Sequence, residues 1–335
     1  MAAANGDHGD AVLVTGGCGY IGSALVPRLL ADDRVSRVTV LDDLSGGSPR
    51  SLVGTLNRDV LSFRKGDIRQ YGDVESTMRG ADRVIHLAAI TGAASTHDRR
   101  EETFQTNLEG SRNVFNAAEK LNVGTVVFAS SCNCYGRATI QDIDEMTDPN
   151  PLNPYAESKL EAECLLREHI DRGAFEGTVL RMSTVYGAAP GIRFNLVVND
   201  FTFRALTGRA PTVYGDGTNW RPFIHAADAA RAYREAALNS GAWPQFVYNV
   251  GTDEENYRIE TVAEVVGEVV APELEISYLR DRDPGPSYHV DFDRLSETGF
   301  APEHTLQEGV HELATAFTTN RATPVDVLGT GGDSV

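Results

Sequence analysis

Short apolar runs at residues 11–15, 38–41, 84–87, 126–129 and 179–181 recur along the first half of the chain, and each ends in turn residues. Their β-branched, near-continuous apolar character is that of strands buried on both faces of a parallel sheet. Between them, residues 22–30, 74–78, 103–120 and 155–169 carry apolar positions at helical spacing. Strand and helix in alternation predict an α/β fold built on a doubly wound parallel sheet with right-handed crossovers. Beyond Gly187 the regularity breaks down. Helices are predicted near 196–206, 228–239 and 261–270, separated by Pro- and Gly-rich turns. The main domain is therefore expected over residues 11–187. A smaller C-terminal lobe is expected over 188–320, interleaved with the last strands. Residues 1–10 read as a disordered start, and 321–335, rich in Gly, Thr and Asp, as a flexible tail.

Composition narrows the function classes. Hydrophobic residues make up 41% of the 335, enough for a sizeable core. The net charge of −18 argues against nucleic acid and anionic membrane as partners. No apolar run is long enough for a membrane span and no signal peptide is evident, so a cytoplasmic location is expected. Cys18, Cys132, Cys134 and Cys164 lack zinc or redox spacing, and the eight histidines show no ligand pattern, so no metal is expected.

The first strand runs directly into Gly16-Gly17-Cys18-Gly19-Tyr20-Ile21-Gly22, a G-x-x-G-x-x-G turn that opens a helix. Glycines let the backbone approach a pyrophosphate, and a helix N-terminus supplies N–H groups and a positive dipole. Asp42 stands at the end of the next strand, where a carboxylate accepts from the ribose hydroxyls of a dinucleotide. A 2′-phosphate would be repelled by Asp42 and its neighbour Asp43, which favours NAD over NADP.

Tyr155 and Lys159 lie four residues apart on one predicted helix, so phenol and ammonium share a face. A free phenol titrates near 10; a nearby ammonium favours phenolate and suits it to act as a base. Upstream, Ser130 and Ser131 end an apolar strand, where open α/β sheets place ligands. A serine there can steady a reacting oxygen, and both hydroxyls are candidates.

Taken together with Asp67-Ile68, His86-Leu87-Ala88-Ala89, Asn107, Tyr135-Gly136, Leu180-Arg181, Tyr214-Gly215-Asp216-Gly217 and Arg221-Pro222-Phe223, these motifs resemble the extended short-chain dehydrogenase/reductase family. The resemblance runs from about residue 11 to 300 and is to the NAD-dependent epimerases and dehydratases of nucleotide sugars. It implies a Rossmann-type domain followed by a substrate-binding lobe. It assigns catalysis to Ser131, Tyr155 and Lys159. Gly16, Gly19, Tyr20, Ile21 and Gly22 would hold the NAD pyrophosphate and Asp42, with Asp43 beside it, the ribose. Asp67 and Ile68 would flank the adenine, Ala88 would line the cleft, and Tyr155 and Lys159 would also touch the nicotinamide ribose. Ser131, Asn195, Arg221 and Arg282 (or Arg280) would meet a nucleotide-diphosphate sugar. Helices 103–120 and 155–169 would pair two subunits into a homodimer.

Two departures bear on activity. Thr184 stands where many relatives have Asn, and Pro222 where they have an acidic residue. Between Ser131 and Tyr135, dehydratases of the family carry Asp and Glu, whereas this chain has Cys132 and Asn133. An amide has no useful basicity, and Cys132 reads as a small space-filling residue. The expected activity is epimerisation at C4. The alternatives are a 4,6-dehydratase, decarboxylase or 4-keto-sugar reductase, and a non-catalytic NAD-binding regulatory protein on the same fold.

Overall fold

The computed structural model describes residues 9–55, 59–138 and 142–319. The expected disorder at 1–8 and tail at 321–335 lie outside the described residues. Asp10, by contrast, is ordered as the first residue of strand β1, opposite Val35.

Seven parallel strands form the main sheet: β1 (Asp10–Thr15), β2 (Val35–Asp42), β3 (Leu61–Lys65), β4 (Arg83–His86), β5 (Thr125–Ser131), β6 (Glu176–Met182) and β10 (Val247–Val250). Their order is β3-β2-β1-β4-β5-β6-β10. The order reverses between β1 and β4, and a crevice opens there at the carboxyl ends of the strands. Successive side chains point to opposite faces. Val12 and Val14 of β1, with Val127 and Ala129 of β5, pack under helices α1 (Tyr20–Leu30) and α8 (Ala226–Leu238). Leu13, Val126 and Phe128 pack on the other side, under α2 (Tyr71–Met78), α5 (Gly110–Lys120) and α6 (Pro154–Asp171). Helix α8 and strand β10 fall after residue 187 in sequence, yet both complete the main layer. Alanines 229, 230, 232, 236 and 237 on α8 are buried and let it lie close to α1.

The predicted helix over 103–120 is interrupted. After the short α3 (Ala93–Thr96), α4 (Arg100–Phe104) passes through a π-helical turn at Gln105–Glu109 before α5 begins. A wider turn of this kind re-aims side chains, and here it directs Asn107 inward. Asn107 exchanges two hydrogen bonds with the backbone of Ile90 (2.8 and 2.9 Å) and donates to Ser158 Oγ at 3.0 Å. One side chain thus ties the segment after β4 to α6.

The lobe holds a sheet in the order β11-β9-β7, from β7 (Thr184–Tyr186), β9 (Trp220–His225) and β11 (Asn256–Arg258). A second pair joins β8 (Thr212–Tyr214) to β12 (Ser277–Leu279). Helices α7 (Val197–Leu206), α9 (Ile259–Val270) and α11 (Leu306–Thr319) enclose a separate core around Tyr186, Phe201, Phe223 and Val310. The small α10 (Asp293–Ser296) packs on β10. Among the described residues, no helix is long and apolar enough to cross a membrane, and no three acidic, His or Cys side chains gather as a metal-ligand set.

Candidate active site

A cleft of about 560 Å³ runs from the switch point into the lobe. At its first end the chain offers backbone. Gly16 has φ +72°, and a Cβ there would lie 2.7 Å from the amide nitrogen of Ala88; on Gly22 it would lie 2.6 Å from Gly16 O. Any side chain would close the approach to the start of α1, whose first turn has no side-chain cap. The orphan N–H groups of that turn are a ready anion site. This cradle fits a dinucleotide phosphate. Gly16, Gly19, Tyr20, Ile21, Gly22, Asp42, Asp43, Ile68 and Ala88 all line the cleft.

Asp42 is nearly buried at the end of β2. Its two oxygens accept from Cys18 N (2.9 Å) and Leu44 N (2.8 Å), and burial raises its pKa. Leu44 adopts φ +67°, an uncommon state for a branched side chain, which turns its N–H back onto the carboxylate. Asp67 is placed differently from its expectation. It is absent from the cleft lining, and its carboxylate is bound by the Arg69 guanidinium at 2.6 Å.

At the middle of the cleft stand Ser131, Tyr155 and Lys159. Asn153 caps α6 by accepting from Ala156 N at 3.0 Å, and Pro154 occupies the first turn, so the helix starts abruptly with Tyr155 at the cleft. Burial raises the pKa of the Tyr155 phenol, while the neighbouring Ser131 hydroxyl and the charge of Arg193 oppose that rise. Lys159 is 2% exposed, with its ammonium 4.7 Å from the Phe128 ring centroid. Desolvation lowers it to about 7, against a weaker opposing pull from Glu163.

The two serines divide their tasks. Ser131 faces Tyr155, whereas Ser130 donates to Glu163, one turn beyond Lys159. Glu163 is also paired with Arg181 at 2.7 Å; both are buried. Arg181 donates to Tyr135 Oη (3.0 Å), which donates to Asn249 Oδ1 (2.7 Å). The Ser-Ser, Tyr-Gly and Leu-Arg motifs therefore meet in one buried network behind the site. Cys132 is fully buried, donates to the Arg181 carbonyl at 3.1 Å, and is pushed up to about 12 by burial. Asn133, not Cys132, lines the cleft.

Toward the lobe, Asn195 lines the cleft. Arg221 does not; it lies behind Tyr288, 4.9 Å from that ring's centroid, and donates to Trp220 O at 2.7 Å. Arg282 is exposed on the turn after β12 and also lies outside the lining. Residues that sequence reasoning missed here are Thr91, Ser183, Arg193, Tyr233 and Tyr288. They come from five separated segments and belong to no motif. The acidic side chains lining the described cleft are Asp42, Asp43 and Glu102, all at the glycine-turn end or on the adjoining α4.

A nucleotide cradle at a strand-order reversal, with a serine–tyrosine–lysine group beyond it, defines the short-chain dehydrogenase/reductase class on its extended, two-lobed plan. Within that class, the model of the NAD-dependent epimerase/dehydratase family matches residues 12–251, and the chain belongs to this family. It is 31% identical to the UDP-glucose 4-epimerase of Mycolicibacterium smegmatis over 315 residues, covering 91% of this chain and 97% of that one. The structure of UDP-N-acetylglucosamine 4-epimerase from Methanobrevibacter ruminantium in complex with UDP-N-acetylmuramic acid superposes with a TM-score of 0.84 at 27% identity, over 93% and 99% of the two chains. That of the dTDP-glucose 4,6-dehydratase from Streptomyces venezuelae, with NAD bound, gives 0.83 at 25%, over 93% and 98%. The cofactor of this chain is NAD.

Proposed function

We propose that the chain is a 4-epimerase of nucleotide-diphosphate sugars. NAD supplies the acceptor, and later the donor, of the C4 hydride. Tyr155 takes the C4 hydroxyl proton as that hydride leaves and returns it when the hydride comes back on the opposite face of the ring. No net redox change results. Ser131, held against Tyr155, steadies the reacting oxygen. Lys159 touches the nicotinamide ribose, and its charge favours phenolate. Gly16, Gly19, Tyr20, Ile21 and Gly22 cradle the cofactor pyrophosphate; Asp42 and Asp43 take the ribose; Ile68 borders the adenine; Ala88 forms the wall. Asn195, which lines the cleft toward the lobe, meets the substrate diphosphate. Paired copies of α5 and α6 would form a homodimer. Light scattering at micromolar concentration should return about twice the 36.2 kDa chain mass; a monomer mass removes the dimer.

One observation supports epimerase over dehydratase. Elimination of the C6 hydroxyl needs an acid and a base beside the sugar, and no carboxylate stands beside Ser131 and Tyr155 in the described cleft; the neighbouring position is Asn133. The C5 proton then stays in place. Turnover of the correct sugar nucleotide in heavy water should give a C4-inverted product with no solvent deuterium at any carbon. Deuterium at C5, or a product lighter by one water, would replace the epimerase reading with a dehydratase or C5-epimerase.

A further inference from the structure

The segment between β7 and α7, residues 187–196, is fastened to the glycine turn. Tyr20 Oη donates to Gly187 O at 2.5 Å, and Gly191 N donates to Ser23 Oγ at 2.9 Å. Asn199 Nδ2 donates both to Tyr20 Oη (3.1 Å) and to Arg193 O (3.0 Å). The two backbones touch: a Cβ on Gly191 would lie 2.7 Å from Gly19 O. From this fixed main chain the Arg193 side chain crosses the cleft. Its Nη1 donates to Thr91 Oγ1 at 2.5 Å, on the segment that follows β4. The side chain thus links the segment after β7 to the segment after β4, within the cleft that Gly16, Gly19 and Tyr20 also line and within electrostatic reach of Tyr155 and Tyr20.

Its charge is unmatched. Three arginines line the described cleft: Arg69, Arg99 and Arg193. Arg69 is paired with Asp67 at 2.6 Å and Arg99 with Glu102 at 2.7 Å. Arg193 has no carboxylate within ion-pair distance among the described residues, and the described acceptor of its side chain is one neutral hydroxyl. Burial also works against the charge. A half-buried guanidinium with spare donors, and no internal anion in a chain of net charge −18, is built to receive an anion from outside. The first turn of α1, with its uncapped N–H groups, lines the same cleft.

We propose that Arg193 clamps the diphosphate of NAD from the side opposite the glycine turn. Its planar fork suits bidentate contact with phosphate oxygens, and Thr91 holds the fork in register. The staples run to the cofactor turn, which favours the cofactor diphosphate over that of the sugar nucleotide.

Calorimetry on the full-length chain freed of nucleotide tests this with three ligands: NAD, ADP-ribose and UDP. Arg193→Gln should weaken NAD and ADP-ribose together by roughly ten- to hundredfold, the range expected for lost charge-assisted hydrogen bonds. UDP affinity, measured with NAD saturating, should hold within about twofold. Arg193→Lys should recover part of the loss, and Thr91→Val should cost NAD less than Arg193→Gln does. Unchanged NAD affinity in Arg193→Gln overturns the proposal. So does a loss confined to UDP, which would assign the guanidinium to the substrate diphosphate. If Arg193→Gln does not fold, Thr91→Val with NAD affinity equal to the parent overturns it instead. These readouts are independent of whether the chain inverts C4.

Discussion

The two ends of the cleft are built from different material. The glycine-turn end is main chain: Gly16 and Gly22 leave no room for a Cβ, and the first turn of α1 presents N–H groups. The sugar end is side chain, with Ser131, Tyr155, Asn195 and Tyr288 brought together from four separated segments. Main-chain geometry tolerates almost no substitution, whereas side chains on loops change freely. The difference explains why epimerases and a dehydratase superpose on this chain almost equally well. The shared cradle keeps the cofactor, and a few side chains at the other end decide the reaction.

The sharpest way to separate the two ends is Tyr155→Phe. It removes the hydroxyl that faces Ser131 but leaves the ring and the cradle. Turnover should fall by about a hundredfold or more, as for a lost general base, while NAD affinity changes by less than about threefold. Near-normal turnover in steady-state assays would show that the base lies elsewhere.

Lys159 sits where the two ends join, and its burial gives a pH signature. Its pKa falls from 10.5 to about 7 on folding. Between those values the unfolded chain holds the proton more tightly, so the stability of the cofactor-free protein rises with pH across that window and is lowest below about 7. Lys159→Met should flatten this dependence and raise the melting temperature most at pH 6. Parallel melting curves of parent and variant from pH 6 to 9 would show that the lysine is not buried as a cation.

Legibility follows the same division. The glycine turn, Asp42 and the Tyr155/Lys159 spacing could be read because each is a local pattern with a physical cause. Strand β3, Leu-Ser-Phe-Arg-Lys, was missed because an edge strand half-exposed to water has no continuous apolar run. Helix α11 was legible but unread: Leu306, Val310 and Leu313 recur at i, i+4 and i+7 and are all buried. Arg193 left no local signal. Its role depends on a loop folding back across the chain onto Ser23 and Tyr20, which spacing does not encode. Among the family positions, Asp67 pairs with Arg69 and is absent from the cleft lining, a choice set by a neighbour two residues on.

A smaller effect is expected at the ribose. Asp42→Ala should weaken NAD by about tenfold through lost charge-assisted hydrogen bonds, and relieve the repulsion of a 2′-phosphate. Titration with both cofactors should show the gap between NAD and NADP narrowing from the NAD side. Arg69 and Arg99 are already engaged by Asp67 and Glu102, so the variant should not become NADP-selective. Equal affinity of the unaltered protein for both cofactors would remove Asp42 from this role.

The smallest effect belongs to Cys132, which tests whether the sugar end hides a second proton-transfer group. It sits one residue beyond Ser131, close enough in sequence to be mistaken for an acid or base acting at C5. Geometry argues otherwise. Its thiol has no exposure, donates to the Arg181 carbonyl, and is pushed to about 12, so thiolate is negligible at neutral pH. The adjacent Asn133 takes the place in the cleft. Cys132→Ala removes the sulfur and one buried weak hydrogen bond, at a stability cost of about 1 kcal/mol. Turnover should stay within about twofold of the parent, with no change in isotope content of product formed in heavy water. A folded Cys132→Ala variant slowed by about a hundredfold would place the thiol in the chemistry and reopen the reading of Asn133 as a bystander to C5.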